Sequence, residues 1–167
     1  MGGTPSRSMN DFVAKFDDDT RKKYFSGTWH EQGRLYAPFE RDCRGVKAHY
    51  KILDDGTIHV TNECMWNSDI YKMEGQAYPM IKNSDMASFY VKFPWVPAGG
   101  YFVIYAEHVD KKNGIAFVAG RNFNYFWVLT RNKVYDKARV CYLLKELKLP
   151  IDYDKLIWND GEKCFTQ

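Results

Sequence analysis

Residues 44–52 read Arg44-Gly45-Val46-Lys47-Ala48-His49-Tyr50-Lys51-Ile52, and after Leu53-Asp54-Asp55-Gly56-Thr57 the chain continues Ile58-His59-Val60-Thr61-Asn62-Glu63. In the first stretch Val46, Ala48, Tyr50 and Ile52 recur at every second position, with Lys47, His49 and Lys51 between them. In the second, Ile58 and Val60 oppose His59, Thr61 and Glu63. A period of two places successive side chains on opposite faces of a strand, so each stretch has one apolar face. Asp54-Asp55-Gly56 supplies the turn chemistry of a hairpin between them.

The alternation continues on both sides of this hairpin. Runs at about 28–36, 44–53, 57–66, 70–78, 87–93, 100–108, 115–120 and 125–131 have strand character. Many are separated by turn residues, among them Asn83-Ser84-Asp85, Pro97-Ala98-Gly99-Gly100 and Lys111-Lys112-Asn113-Gly114. Phe89, Val91 and Phe93 share a face, as do Tyr101, Val103 and Tyr105, and again Tyr125, Trp127 and Leu129. Eight sequential strands with short connections predict an all-β, eight-stranded up-and-down antiparallel β-barrel, wide enough for one small ligand. The period then changes. Val134, Ala138, Cys141, Leu144 and Leu147 form one helical stripe, which predicts a C-terminal α-helix packed outside the barrel and ended by Pro150. A short strand-like segment, Leu156-Ile157-Trp158, follows it. Residues 1–22 are polar and read as a flexible tail, which leaves residues 23–167 as a single barrel domain.

Composition agrees with this plan. Aromatic residues make up 17% of the chain, and they favour pleated, half-buried surfaces. The 24 basic and 21 acidic residues are interspersed, whereas a nucleic-acid surface needs a clustered basic face, so no nucleic-acid partner is expected. No run approaches the roughly 20 apolar residues of a membrane helix. The first residues, Met1 to Ser8, hold no apolar core of a signal peptide. Gly2 with Ser6 matches the N-myristoylation pattern, and the same residues equally suit an artificial leader ahead of Met9. None of the four cysteines, Cys43, Cys64, Cys141 and Cys164, is spaced C-x-x-C, so neither a zinc ribbon nor a thioredoxin-like motif is expected.

Several segments taken together resemble the lipocalin family, nearest its bacterial lipocalin and apolipoprotein D branch. Gly27-Thr28-Trp29 matches the G-x-W signature that opens the first strand. Tyr125-Phe126-Trp127-Val128-Leu129-Thr130-Arg131 resembles the third conserved segment, and Gly99-Gly100-Tyr101-Phe102-Val103-Ile104 resembles the sixth strand of that branch. The hairpin at Asp110-Lys111-Lys112 departs from the family pattern. The resemblance spans about residues 22–160. It implies that Gly27, Trp29 and Arg131 are structural, with the guanidinium over the indole at the barrel base, a contact worth roughly 0.5–2 kcal/mol. It also implies a Cys43–Cys164 bridge tying the tail to the barrel. Cys64 and Cys141 have no counterpart in that branch. They are left either as a second bridge or with Cys141 as a buried thiol on the helix stripe.

Strand parity gives the interior Tyr50, Asn62, Trp66, Met73, Phe89, Val91, Phe93, Tyr101, Val103, Tyr105 and Trp127. These are candidate ligand-binding residues: mostly apolar, with a few phenols and one amide to orient a ligand. A small hydrophobic molecule with a polar end, such as a fatty acid, lysophospholipid or sterol, is the expected partner, for transport or storage. Glu31 is inward by parity near the base. His30, His49, His59 and His108 fall on the outer face, so neither a metal centre nor a haem cofactor is expected. No catalytic residues are assigned, because no Ser-His-Asp or paired-carboxylate set shares a face.

Two alternatives stand beside the carrier. One is a filled barrel working through its surface, by self-association or transient membrane contact, with Tyr36, Trp95 and Phe123 as exposed loop aromatics. The other is a lipocalin-type isomerase with Cys64 as nucleophile, or a de-epoxidase-like enzyme. The implied disulfide places the protein in a secreted or lumenal compartment, with membrane association as a further expectation.

Overall fold

The computed structural model describes residues 8–165. The hairpin read first is present: β2 (Arg44–Ile52) pairs antiparallel with β3 (Ile58–Trp66), with Tyr50 opposite Val60 and Ala48 opposite Asn62. Before them lies β1 (Gly27–Arg34), and after them β4 (Asp69–Pro79), β5 (Ser88–Lys92), β6 (Gly99–Glu107), β7 (Ile115–Ala119) and β8 (Phe126–Thr130). Each pairs with its sequence neighbour, and β1 pairs with both β2 and β8, which closes the barrel as expected. A short ninth strand, β9 (Ile157–Trp158), adds to the outside of β1. The indole of Trp158 packs so tightly there that a Cβ at Gly33 would lie 2.8 Å from it.

The C-terminal helix, α2, spans Lys137–Leu147 and starts three residues later than the stripe suggests. Asp136 caps it by accepting from the Arg139 N–H at 3.0 Å, which leaves Val134 outside the helix and exposed. Buried Val140, Leu143 and Leu144 join the apolar cluster that includes Phe117, Phe126 and Val128 on the outer face of the sheet.

Three expectations are corrected. The first concerns the tail. Residues 1–7, with Gly2, lie outside the described residues, but residues 8–22 are not loose. Lys15 bridges Met86, the Ala14 N–H donates to the Val103 carbonyl at 2.8 Å, and Val13 and Phe16 are buried. The helix α1 (Asp18–Tyr24) follows, capped by Asp17. A few apolar side chains in a charged stretch suffice to hold it, because they join the buried apolar cluster, with Phe16 packed 5.3 Å from Tyr24.

The second is the cysteine pairing. The bridges are Cys43–Cys64 and Cys141–Cys164, not Cys43–Cys164. The β2–β3 ladder ends at Arg44 opposite Met65, with an irregularity between Arg44 and Lys47, and the chain entering β2 carries the Cα of Cys43 to 5.3 Å from that of Cys64. The segment after β9 folds back on α2 through Lys137, whose ammonium meets Asp160 at 2.7 Å and lies over the Trp158 ring. That brings Cys164 to Cys141, which is therefore not a free thiol.

The third is a β-bulge. Val103 pairs with Val118, but the next pair is Tyr105 with Phe117. The extra residue, Ile104, reverses the parity of β6 beyond it. Tyr105 therefore leaves the interior and lies outside, its hydroxyl donating to Glu107 Oε1 at 2.6 Å while Arg139 of α2 holds the same carboxylate.

Candidate ligand-binding site

The barrel is closed at its base by residues from outside the sheet. Chain connectivity puts the β2–β3, β4–β5 and β6–β7 turns at this end, together with the junction between α1 and β1. Gly27 turns the chain into β1 with φ +83°, a left-handed conformation open to glycine without strain. The Arg131 guanidinium lies 4.0 Å from the centre of the Trp29 indole. It also donates to the carbonyls of Lys23, Tyr24, Thr28 and Val109 at 2.6–3.2 Å. The Trp29 Nε1–H donates to the Tyr24 carbonyl at 2.9 Å.

This knot drops Tyr24 and Phe25 into the barrel as its floor, and both are fully buried. Phe25 packs edge-on against Tyr50 and Phe89 at 5.2 and 4.7 Å. The Tyr24 hydroxyl lies 2.5 Å from that of Tyr101, to which the Tyr50 hydroxyl donates at 3.1 Å. Burial raises all three phenols above their ordinary range, Tyr50 to about 12. They stay neutral and serve each other as partners. Tyr50, Phe89 and Tyr101, expected as ligand contacts, thus form the floor with two residues that parity could not reveal. Tyr24 and Phe25 carry no strand alternation, and their only signal is an aromatic pair just before Gly27-Thr28-Trp29.

Above the floor the inward side chains change character. Ala48, Asn62, Val91, Phe93 and Trp127 point inward by register, yet none is fully buried. Val103 is fully buried on the same face. Met73, opposite Asn62 where β4 runs past the end of β5, and Trp66, at the end of β3, are about half exposed. Gly75 and Ala77 on β4 contribute almost no side-chain volume. A second bulge, in β1 between Glu31 and Gly33, turns Arg34 inward opposite Trp127.

There the wall carries a buried polar group that the strand pattern only half disclosed. Arg34 Nη1 donates to Glu31 Oε2 at 3.3 Å, and Arg34 Nε lies 3.7 Å from Glu40 Oε2. The Trp127 indole donates to Glu40 Oε1 at 3.2 Å. Burial, then the neighbouring Glu40 charge, hold the Glu31 carboxyl well above the usual carboxylate range. Glu40 sits on the β1–β2 loop, which the Cys43–Cys64 bridge fastens to β3. Chemically this is a fixed donor–acceptor set in an otherwise apolar wall, suited to the polar end of an amphiphile.

Other candidates are placed elsewhere. His30, His49 and His59 lie on the outer face by register, His49 paired with Thr28 at 2.6 Å. Among the described residues no group of three or more His, Cys, Asp or Glu side chains is arranged to hold a metal. Cys64 is inward, but its sulfur is bonded to Cys43 and is no free nucleophile. Of the loop aromatics, Tyr36 and Trp95 are exposed while Phe123 is buried, packed edge-on against Phe12 at 5.2 Å.

These features can be set beside known proteins. Residues 21–160 match the profile of a lipocalin-like domain. The outer membrane lipoprotein Blc of Citrobacter freundii is 33% identical over 162 residues, covering 93% of this chain and 84% of that protein. Temperature-induced lipocalin-1 of Arabidopsis thaliana is 32% identical over 115 residues, 64% of this chain and 60% of that one. Among solved structures, insecticyanin from the tobacco hornworm Manduca sexta superposes with a TM-score of 0.72 at 24% identity, over 96% of this chain and 87% of its own. The closed barrel, the G-x-W knot under its base and the extent of these matches agree: the chain belongs to the lipocalin family, whose members bind small hydrophobic molecules.

Proposed function

We propose that the barrel takes up one amphiphilic lipid, a fatty acid, lysophospholipid or sterol, for transport or storage, and that the protein is a carrier rather than an enzyme. The observation that supports this most is the accessibility of the inner wall. Val91, Phe93, Trp127 and Met73 face inward but keep contact with solvent, which supports an upper interior open to a ligand. Covering such apolar surface with a hydrocarbon stabilises a complex at roughly 25 cal/mol per Å² removed from water. The Glu31–Arg34–Glu40 group would hold the polar end, and the aromatic floor would stop the tail. Two disulfides suit a protein that meets its ligand in an oxidising compartment, secreted or lumenal.

Titration of delipidated protein with each lipid class, followed by tryptophan emission, tests the reading. Trp127 and Trp66 lie on the binding path, so a saturable one-to-one change is expected for at least one class. No response to any of them would remove the proposal.

A further inference from the structure

The two ends of the barrel differ in what they present to solvent. In an up-and-down barrel the β1–β2, β3–β4, β5–β6 and β7–β8 loops share one end, here the open one. Exposed at that end or beside it are Tyr36, Phe39, Trp66, Ile70, Tyr71 and Trp95. They are held in place rather than splayed at random. Phe39 packs edge-on against Tyr125 at 5.2 Å across the β1–β2 and β7–β8 loops, and Trp66 meets Tyr71 at 5.4 Å. The β5–β6 loop is fastened by the Lys92 ammonium, which binds the carbonyls of Phe93 and Val96. This leaves Trp95, with φ +68°, projecting from the tip, 101% exposed. Among the described residues, the connections at the base expose Leu53, Ile81 and Val134, and no aromatic ring.

Charge follows the same asymmetry. Arg41, Arg44, Lys72, Lys92 and Arg121 are exposed around the open end, against exposed Asp42, Asp69 and Glu74. Aromatic side chains ringed by basic ones are the chemistry of a bilayer's headgroup boundary. Trp and Tyr partition to that boundary, and Lys and Arg are drawn to anionic headgroups. Water alone gives a fully exposed indole no stabilising neighbour.

We propose that the open end of the barrel is a docking surface for a lipid bilayer containing anionic phospholipid, with Trp95 as its leading side chain. Docking there sets the entrance against the membrane, so a lipid passes between bilayer and barrel without crossing water. The surface acts whether or not the interior holds a ligand, which allows the two readings to be tested apart.

The experiment uses the full chain, with extruded phosphatidylcholine vesicles with and without phosphatidylglycerol, in a flotation assay. Binding is expected to the anionic vesicles, weakening as salt screens the basic rim. Trp95→Asp should lower the partition coefficient about tenfold or more, because the inserting indole is lost and a negative charge is added to the basic rim. Ile81→Asp, at the opposite end, should leave it unchanged. Both substitutions are at exposed positions, and both variants should bind a monomeric lysophospholipid as the unaltered chain does. Absence of vesicle binding, or equal effects of the two substitutions, would overturn the proposal. So would gel filtration showing a dimer that Trp95→Asp dissociates, since the rim would then be a contact between copies. Loss of lysophospholipid binding by the unaltered chain would count against the carrier reading and leave the vesicle result standing.

Discussion

The Arg131 guanidinium stacks 4.0 Å from the Trp29 indole while its N–H groups reach the carbonyls of Lys23, Tyr24, Thr28 and Val109. One side chain therefore ties the end of α1, the start of β1 and the β6–β7 turn together beneath the barrel. Arg131→Met keeps the stem and removes every donor. The expected loss is about 2–4 kcal/mol of stability, from charge-assisted hydrogen bonds and carbonyls left without partners. Urea unfolding measures it, and lipid affinity in the folded fraction should stay within about twofold, roughly 0.4 kcal/mol. A selective loss of affinity at unchanged stability would place Arg131 in the ligand site instead.

The cysteine connectivity is checked by peptide mapping without reduction, which should yield fragments joined through Cys43–Cys64 and Cys141–Cys164. Each bridge closes a loop of similar length, 21 and 23 residues apart in sequence. Replacing either pair by serine should cost about 3 kcal/mol on the chain-entropy account. Removing Cys43–Cys64 should also weaken lipid binding, since it frees the loop that presents Glu40. A peptide joining Cys43 to Cys164 would contradict the structure.

Glu31 gives the protein a pH dependence of defined sign. Its folded-state affinity for a proton is raised, chiefly by burial and then by Glu40. As pH rises above the ordinary glutamate range, Glu31 ionises in the unfolded chain while the folded chain keeps its proton. Stability from this group is complete at low pH and falls as pH climbs through the raised folded value. Urea midpoints taken between about pH 5 and 8 should show this decline, and Glu31→Gln should flatten it. A decline of equal slope in the Gln variant would assign it to another group.

The bulge at Ile104 makes a paired prediction. Phe93 faces inward below the rim, so Phe93→Ala should lower lipid affinity about tenfold, as expected for losing most of one aromatic contact of roughly 1.5–3 kcal/mol. Tyr105 lies outside, so Tyr105→Phe should leave affinity unchanged and lower stability by about 1 kcal/mol through its lost bond to Glu107. The reverse pattern would mean that β6 keeps its parity through Ile104.

What the sequence disclosed follows from what periodicity encodes. Each strand, and the side chains facing in or out along an uninterrupted strand, could be read from alternation, as Val46 to Ile52 show. Parity failed for Tyr105 and missed Arg34, because a bulge adds one residue without any local signature beyond the shift itself. It was also silent on Tyr24 and Phe25, whose place is set by the knot of Trp29 and Arg131, a tertiary relationship between residues about a hundred positions apart. Cysteine pairing depended on how the chain enters β2 beside β3 and on how the segment after β9 folds back on α2, neither of which spacing alone discloses.

The floor contributed by Tyr24 and Phe25 acts as a ruler. From Val60, beside Tyr50, to Trp66 at the rim, β3 rises roughly 20 Å along its own axis, and less along the barrel because strands tilt. A hydrocarbon longer than that interval must emerge through the open end, whatever the wall offers. On the proposed carrier reading, discrimination by chain length would thus reside in two rings belonging to no strand. Smaller residues at positions 24 and 25 would lengthen the accepted tail while the sheet, its register and its bulges stayed as they are.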